Sequence, residues 1–323
     1  MSSTTILPLD YFYILLGLTL SIISLMSYRD KGNSKRMATG SFWALYAVVF
    51  LIGDRLLPLV VGIIVVAMAL IAGLGGVSLG KYGQFTQEER RSSALKLGNR
   101  LLYPALIIPF TTMIGSVVFQ KTKIGGMFLL DQKNFTLVSL GIGCILALIA
   151  ACRFTQSTPV QAMREARRLI DSMGWAVVLP HMLAVLGLLF MDAGVGKAVA
   201  NVTTTYIPMD SRFIAVAVYC LGMAVFTMIM GNAFASFPVM AGGVGIPILI
   251  GAFHGNPAII ASIGMFSGYC GTLMTPMAAN FNIVPAALLD LPDKNGVIKV
   301  QFLTALPLLT VNIFLMYYLM NAF

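Results

Sequence analysis

Long apolar runs separated by short charged loops dominate the chain, and they predict its secondary structure. Each of eight runs lacks Asp, Glu, Lys and Arg over the length that a membrane-spanning helix needs. These runs cover residues 11–28, 37–53, 56–79, 101–119, 134–152, 173–191, 213–230 and 300–320. A further apolar stretch, 231–289, is interrupted by glycine, proline and asparagine. Neither heptads nor barrel-like alternation occurs, so the pattern predicts an all-α polytopic transmembrane bundle of about ten membrane segments.

Composition supports a membrane location and excludes several classes of protein. Of the 323 residues, 58% are apolar and 10% are charged, and the mean hydropathy is +0.89. Soluble domains carry about 25% charged residues, so this chain has too few charges to cover a surface in water. The composition excludes a soluble enzyme, a disordered chain and a nucleic-acid-binding protein, although the net charge is +9.

The basic residues are distributed unevenly among the loops, and this predicts an orientation. Loops 29–36, 80–100 and 153–172 together carry 13 Lys and Arg residues, whereas the three intervening loops carry five. Because basic loops stay on the cytoplasmic side, the N-terminus is predicted to lie outside. The excess positive charge would then face anionic head groups, so membrane lipids are an expected partner.

The third basic loop contains a predicted amphipathic helix. The sequence PVQAMREARRLIDSMG begins at Pro159 and places arginines between apolar positions. We interpret it as a surface helix that joins two halves of the bundle. The predicted domains are an N-terminal transmembrane repeat, 1–158, a cytoplasmic linker, 159–172, and a C-terminal transmembrane repeat with broken helices, 173–323.

The acidic residues argue against carboxylate chemistry. All 12 lie in loops or at the ends of apolar runs, and none lies in mid-span, where a proton relay would be expected. The four cysteines lie inside apolar runs without metal-ligand spacing, so we predict neither a cofactor nor a metal site. His181 lies within the run 173–191 and is the candidate for proton coupling, with a neutral histidine bonded to a carbonyl as the alternative.

The longest charge-free stretch contains the predicted binding site. From Phe213 to Leu289, 77 residues include no Asp, Glu, Lys or Arg, and 19 of them are Gly, Pro or Asn. The residues predicted to break helices are Gly231, Pro238, Gly242, Gly243, Gly271 and Pro276. The predicted substrate-binding residues beside them are Asn232, Ser236, Thr272, Thr275, Asn280 and Asn282. Broken helices bind small polar ligands through their ends and freed backbone groups; glycine-mediated packing, with hydroxyls bonded to their own helix, is the alternative.

Three segments resemble a known family. They are LGNRLLYPALIIPFTT at 97–112, LLDQKNFTLVSLGIG at 129–143 and FSGYCGTLMTPMAANFNIVPAALLDL at 266–291. They are similar to an uncharacterised bacterial inner-membrane family, one of two domain-of-unknown-function families encoded side by side. The two families are together described as the subunits of a 5-oxoproline (pyroglutamate) transporter. The resemblance implies 5-oxoproline as the substrate, a second membrane subunit as a partner, and the bacterial inner membrane as the location.

A wider resemblance is to the ion-transporter superfamily of citrate, dicarboxylate and gluconate carriers. Residues 179–196 resemble the opening of the second repeat in gluconate-type carriers. Gly231-Asn232-Ala233 resembles the Ser-Asn-Thr hairpin tip of dicarboxylate carriers, and Thr275-Pro276 resembles their Thr-Pro element. The resemblance implies inverted repeats, each with a re-entrant hairpin and an unwound helix. The glycines at 73–78 lack a matching Asn tip, which implies that a partner subunit, or a second copy in a homodimer, completes the site.

These observations together predict a secondary transporter subunit, not an enzyme, that moves a small organic anion or amino-acid-like solute by alternating access. Helix N-termini and the predicted polar side chains would hold the solute carboxylate. Symport with a sodium ion or a proton is the expected coupling. Two alternatives stay open: a non-transporting scaffold subunit of a transporter complex, and an intramembrane lipid-modifying enzyme that uses His181.

Overall fold

Helices make up most of the chain in the computed structural model, which describes residues 5–80, 82, 86–278, 281–289, 291–293 and 295–322. The chain forms two units, residues 1–172 and 173–323. Unit 1 contains β1 (Thr5–Leu7), α1 (Asp10–Arg29), α2 (Arg36–Ile52), α3 (Pro58–Gly73), α4 (Gln87–Leu97), α5 (Leu102–Val117), β2 (Lys123–Ile124), β3 (Met127–Leu130), α6 (Phe135–Thr155) and α7 (Pro159–Met173). Unit 2 contains α8 (Leu179–Asp192), α9 (Val195–Tyr206), α10 (Arg212–Met230), α11 (Ala233–Met240), a π-helix (Ala241–Ala252), α12 (Pro257–Leu273), α13 (Ile283–Leu288) and α14 (Gly296–Leu319).

The hairpin of α1 and α2 provides the tightest packing of unit 1. Phe42 and Trp43 on α2 are buried, as is Ile23 on α1. The helices approach closely where Gly40 lies under the ring of Tyr28, because a Cβ at that position would lie 2.8 Å from ring carbons. Small residues at such contacts are what allow membrane helices to pack.

A small sheet and a second helix pair complete unit 1. β3 lies between the other two strands, parallel to β1 and antiparallel to β2. Leu130 at the end of β3 packs with Leu9 and Val138 in a buried cluster. On the helix pair, Gly115 of α5 fits against the Ser139 side chain of α6, where a Cβ would overlap it.

The core of unit 2 is formed by α10, α12 and α14. Its fully buried side chains include Tyr219 and Met223 on α10 and Met316 on α14. The helices α8 and α9 pack against α11 and the π-helix. Glycine permits this second contact, because a Cβ on Gly243 would lie 2.7 Å from the carbonyl oxygen of Gly196.

Several long apolar helices indicate a multi-pass membrane protein. Among the described residues, seven helices are long and apolar enough to cross a membrane. They span Asp10–Arg29, Arg36–Arg55, Arg91–Val117, Phe135–Thr155, Arg212–Met230, Ala233–Ala252 and Gly296–Leu319. An eighth span is formed if Val185–Asp192 and Val195–Tyr206, which are bent by 65° at a break, count as one.

The expected count of about ten segments is therefore too high. The run 56–79 forms only the shorter helix Pro58–Gly73, and the interrupted stretch 231–289 contains the shorter helix Pro257–Leu273. Glycines and prolines terminate helices within runs that hydropathy alone treats as continuous. The expected inverted repeats are not borne out by the described residues either. Unit 1 contains a sheet and two helix hairpins, whereas unit 2 contains a bent helix pair packed on a helix with a π-helical part.

The most deeply buried residues of helix α7 are charged. Its buried residues are Arg167 and Asp171, with 6% and 3% of their surface exposed, whereas Val160 is 62% exposed. Buried charges in a helix that hydropathy would place on the surface require partners elsewhere in the fold. Those partners are described with the candidate sites below.

Candidate functional site

The first break in the charge-free stretch lies between α10 and α11. α10 ends at Gly231, whose φ of +72° is in the left-handed region that favours glycine. A Cβ at Gly231 would also lie 2.5 Å from the carbonyl oxygen of Met277. Asn232 then begins α11, because its side-chain oxygen accepts a hydrogen bond of 2.8 Å from the amide of Phe234.

The second break follows α12, and it contacts the first. The Thr275 hydroxyl donates to the carbonyl oxygen of Met228, in the last turn of α10, over 2.8 Å. The same hydroxyl oxygen accepts from the amide of Met277 at 3.2 Å. This hydrogen bond and the contact between Gly231 and Met277 bring the two breaks together, although about forty residues separate them in the sequence.

Asn282 is fully buried behind the second break. Its side-chain nitrogen donates to the carbonyl oxygens of Thr272 at 2.9 Å and Thr275 at 2.6 Å. Two carbonyl acceptors on one side fix the orientation of the amide. Its oxygen, Oδ1, has no hydrogen-bond partner among the described residues. A buried acceptor without a partner destabilises the folded state by about 1–3 kcal/mol. A hydrogen-bond donor that reached this oxygen would therefore bind favourably.

The hydroxyls near the breaks are used inside the protein. Ser236 donates to the carbonyl oxygen of Ala233 at 3.0 Å and is paired with the Thr227 hydroxyl at 2.6 Å. Thr272 donates to the carbonyl oxygen of Tyr269 at 2.6 Å. These bonds hold the helix ends in place. Thr227, which lies inside an apolar run, was not among the residues that the sequence singled out.

Some residues expected to break helices have a different role. The helix that begins at Ala233 continues through Pro238, Gly242 and Gly243, and it changes to a π-helix at Ala241. A π-helix accommodates irregular hydrogen bonding without ending the helix, and such segments are frequent at functional sites. Gly271 lies inside α12 and permits close packing, since a Cβ there would overlap the carbonyl oxygen of Ala224. Gly231 and Pro276 do lie at breaks.

Two predicted residues cannot be placed in the site. Asn280 and the side chain of His181 lie outside the described part of the structure. Within the described residues, no group of three or more His, Cys, Asp or Glu side chains is arranged to hold a metal ion.

A comparison with family models identifies the chain. The model described as "Protein of unknown function (DUF979)" matches residues 10–321. The chain belongs to the DUF979 family. No curated protein and no solved structure matches the chain. The function of this DUF979 member must therefore be inferred from the geometry of its own residues.

Sequence reasoning missed a second buried polar group, which lies in unit 1. We call it the α7 cluster, and it comprises Asp30, Trp43, Tyr82, Arg167 and Asp171. The Arg167 guanidinium donates to Asp30 Oδ2 at 2.8 Å, and the two side chains are 7% and 8% exposed. Asp171 accepts from Trp43 Nε1 at 2.8 Å and from the Tyr82 hydroxyl at 2.5 Å.

Burial sets the electrostatics of the α7 cluster. Loss of hydration raises the pKa of Asp171 above its ordinary value, and hydrogen bonds from Tyr82 and Trp43, with the charge of Arg167, oppose that rise. Burial and the neighbouring Asp171 also raise the pKa of the Tyr82 hydroxyl, which therefore stays protonated. The one available sequence signal was the spacing of four residues between Arg167 and Asp171, which places them on one helix face.

Proposed function

We propose that this DUF979 chain is a subunit of a secondary transporter that moves a small organic anion or amino-acid-like solute by alternating access. The observation that supports the proposal is the meeting of two helix breaks in a charge-free part of unit 2. Transporters bind solutes at such interruptions, where backbone and amide groups replace ionised side chains. 5-Oxoproline is the first solute to test, because of the family resemblance.

The proposal also concerns the membrane location, the orientation and the partner of the chain. It places the chain in a bacterial inner membrane with the N-terminus outside and with a second membrane subunit or a second copy as partner. The uneven distribution of basic residues among the loops supports the orientation. A sodium ion or a proton would drive the symport.

The hydrogen bonds already made at the breaks narrow the class of solute. Ser236, Thr272 and Thr275 donate their hydroxyl protons within the protein. Two polar atoms of the predicted, described binding residues remain available to a solute. One is the nitrogen of half-buried Asn232, for which no partner is described, and the other is the oxygen of buried Asn282. The first is a donor at the positive end of a helix, and it suits a carboxylate. The second is an acceptor, and it suits an N–H group. The matching solute carries both.

We expect Asn232→Ala to reduce uptake at least tenfold. The substitution removes a side-chain donor at the break, together with a helix cap worth about 1 kcal/mol. The measurement is uptake of labelled 5-oxoproline by vesicles that contain the chain and its paired subunit. Asn256→Ala is the matched control, because Asn256 caps α12 through the same kind of bond, to the amide of Ala258 at 2.9 Å.

The two variants separate stability from binding. Equal uptake by folded Asn232→Ala and wild-type protein would refute the binding site. Equal losses in both variants would assign the effect to helix capping. If vesicles with the paired subunit alone take up the solute as well as vesicles with both subunits, the chain is a non-transporting scaffold. Turnover of lipid by the purified chain would instead indicate an enzyme.

We expect the site to distinguish 5-oxoproline from its lactone analogue, 5-oxotetrahydrofuran-2-carboxylate. The lactone has the same ring and carboxylate, but an oxygen replaces the N–H that would donate to Asn282. Loss of one buried hydrogen bond weakens binding by at least about tenfold. The measurement is competition of each compound against labelled 5-oxoproline. Equal competition by the two compounds in wild-type protein would contradict the assignment, and Asn282→Leu should abolish any preference.

A further inference from the structure

The carboxylate of Asp171 is the most enclosed charged group of the α7 cluster. Its side chain has 0% exposure. One oxygen, Oδ1, accepts from the indole of Trp43 on α2. The other, Oδ2, accepts from the hydroxyl of Tyr82, in the segment that follows α3. The Asp171 side chain thus connects α7 to two other segments of unit 1 that are distant in sequence, α2 and the segment after α3.

Arg167 shares its charge between two carboxylates. Its terminal nitrogen is hydrogen-bonded to Asp30 at 2.8 Å. Its Nε lies 3.3 Å from Asp171 Oδ2 but is not aligned for a hydrogen bond. The aligned donors to Asp171 are therefore the neutral groups of Trp43 and Tyr82. Asp171 therefore shares one cation with Asp30 and relies on two neutral donors for its remaining compensation, which leaves burial as the larger influence on its charge.

We propose that Asp171 is a reversible proton-binding site. Its protonation state controls the hydrogen bonds that connect α7 to the α1–α2 hairpin and to the segment at Gly80 and Tyr82. The Tyr82 oxygen accepts from the amide of Gly80 at 2.8 Å and donates its own proton to Asp171. A proton on Asp171 Oδ2 turns that oxygen into a donor. A protonated Asp171 carries no buried charge, and its hydrogen bond with Tyr82 can then run in either direction, so protonation changes this contact without leaving a charge enclosed.

The groups around Asp171 determine which residue titrates. Among the described residues, the charged or titratable groups that contact Asp171 are Arg167 from α7 and Tyr82 from the segment after α3. Asp30, from the loop between α1 and α2, contacts the far end of Arg167. Burial raises the pKa of the Tyr82 hydroxyl, which keeps its proton at neutral pH, so the carboxyl of Asp171 is the group proposed to change charge.

The expected pH dependence follows from burial. Because burial raises the pKa of Asp171, the folded protein holds this proton more tightly than the unfolded chain does. Stability that depends on Asp171 is therefore present at low pH and is lost as the pH rises through the raised pKa. Replacement by asparagine removes this dependence.

Trp43 provides a direct readout, because the protein has only two tryptophans. In full-length Trp175→Phe protein, the emission of Trp43 should titrate with a midpoint above about 3.9, the ordinary value for aspartate. The same titration should persist when Asp30→Asn is added and should vanish when Asp171→Asn is added. The unfolding midpoint should fall with rising pH in Trp175→Phe protein more than in the Asp171→Asn variant.

Three results would overturn the proposal. They are a flat emission profile in Trp175→Phe protein, an unchanged titration with Asp171→Asn, and loss of the titration with Asp30→Asn while the protein stays folded. The first and third remain decisive if Asp171→Asn fails to fold. Fluorescence does not depend on uptake, so this proposal and the proposed transport function can fail separately.

Discussion

Arg167→Met should destabilise unit 1 by about 3–5 kcal/mol, the usual cost of breaking a buried ion pair from one side. Methionine replaces the apolar stem of the side chain but lacks the guanidinium, which is hydrogen-bonded to Asp30 and close to Asp171. The enclosed Asp171 carboxylate then has no cation among the described residues. The measurement is the unfolding midpoint of the purified chain at neutral pH.

Arg168→Met is the matched control on the same helix. Arg168 pairs with Glu165 at 2.8 Å, but the two side chains are 22% and 45% exposed. Exposed pairs contribute about 0–1 kcal/mol, so this substitution should have little effect. Adding Asp30→Asn and Asp171→Asn to Arg167→Met should recover much of the lost stability, because the α7 cluster then contains no charged side chain. Equal effects of the two arginine substitutions would show that Arg167 is not buried as described.

The apolar pattern predicted the helices, but not how they end or pack. Long charge-free runs identify spans such as Phe135–Thr155 because lipid leaves few alternatives for the backbone. Glycine and proline are less informative. Gly231 ends a helix, whereas Gly243 sits inside one and allows α9 to approach. Both roles need a missing Cβ, and only the tertiary contacts distinguish them.

The candidate sites differ in how far the sequence could predict them. Asn232 and Thr275 were identifiable because each accompanies a helix-breaking residue within an apolar stretch. The α7 cluster was not, because its hydrogen bonds join residues separated by 128 positions, for Trp43 and Asp171, and by 137, for Asp30 and Arg167. Local patterns contain no information about such pairs. By contrast, the position of Asn312 within the last apolar run is evident from the sequence, whereas its contact with Cys270 is evident only from the structure.

The close approach of the two helix breaks leads to the last prediction, that Gly231→Ala will destabilise unit 2 by about 2–5 kcal/mol. Part of this cost, about 1–2 kcal/mol, comes from placing a Cβ on a residue with left-handed φ. The rest, about 1–3 kcal/mol, comes from overpacking against Met277, whose carbonyl oxygen would lie 2.5 Å from the new Cβ.

Gly242→Ala is the control, because that glycine has no positive φ and no atom within 4 Å of a Cβ. We expect its unfolding midpoint to stay close to that of the wild type, and it should retain any uptake that the wild type shows. Gly231→Ala should lower the unfolding midpoint and reduce uptake. The new methyl group forces residues 231 and 277 apart and thereby separates the two breaks. Wild-type stability in Gly231→Ala would mean that the breaks are not in contact. The polar groups on either side would then have no common site to form.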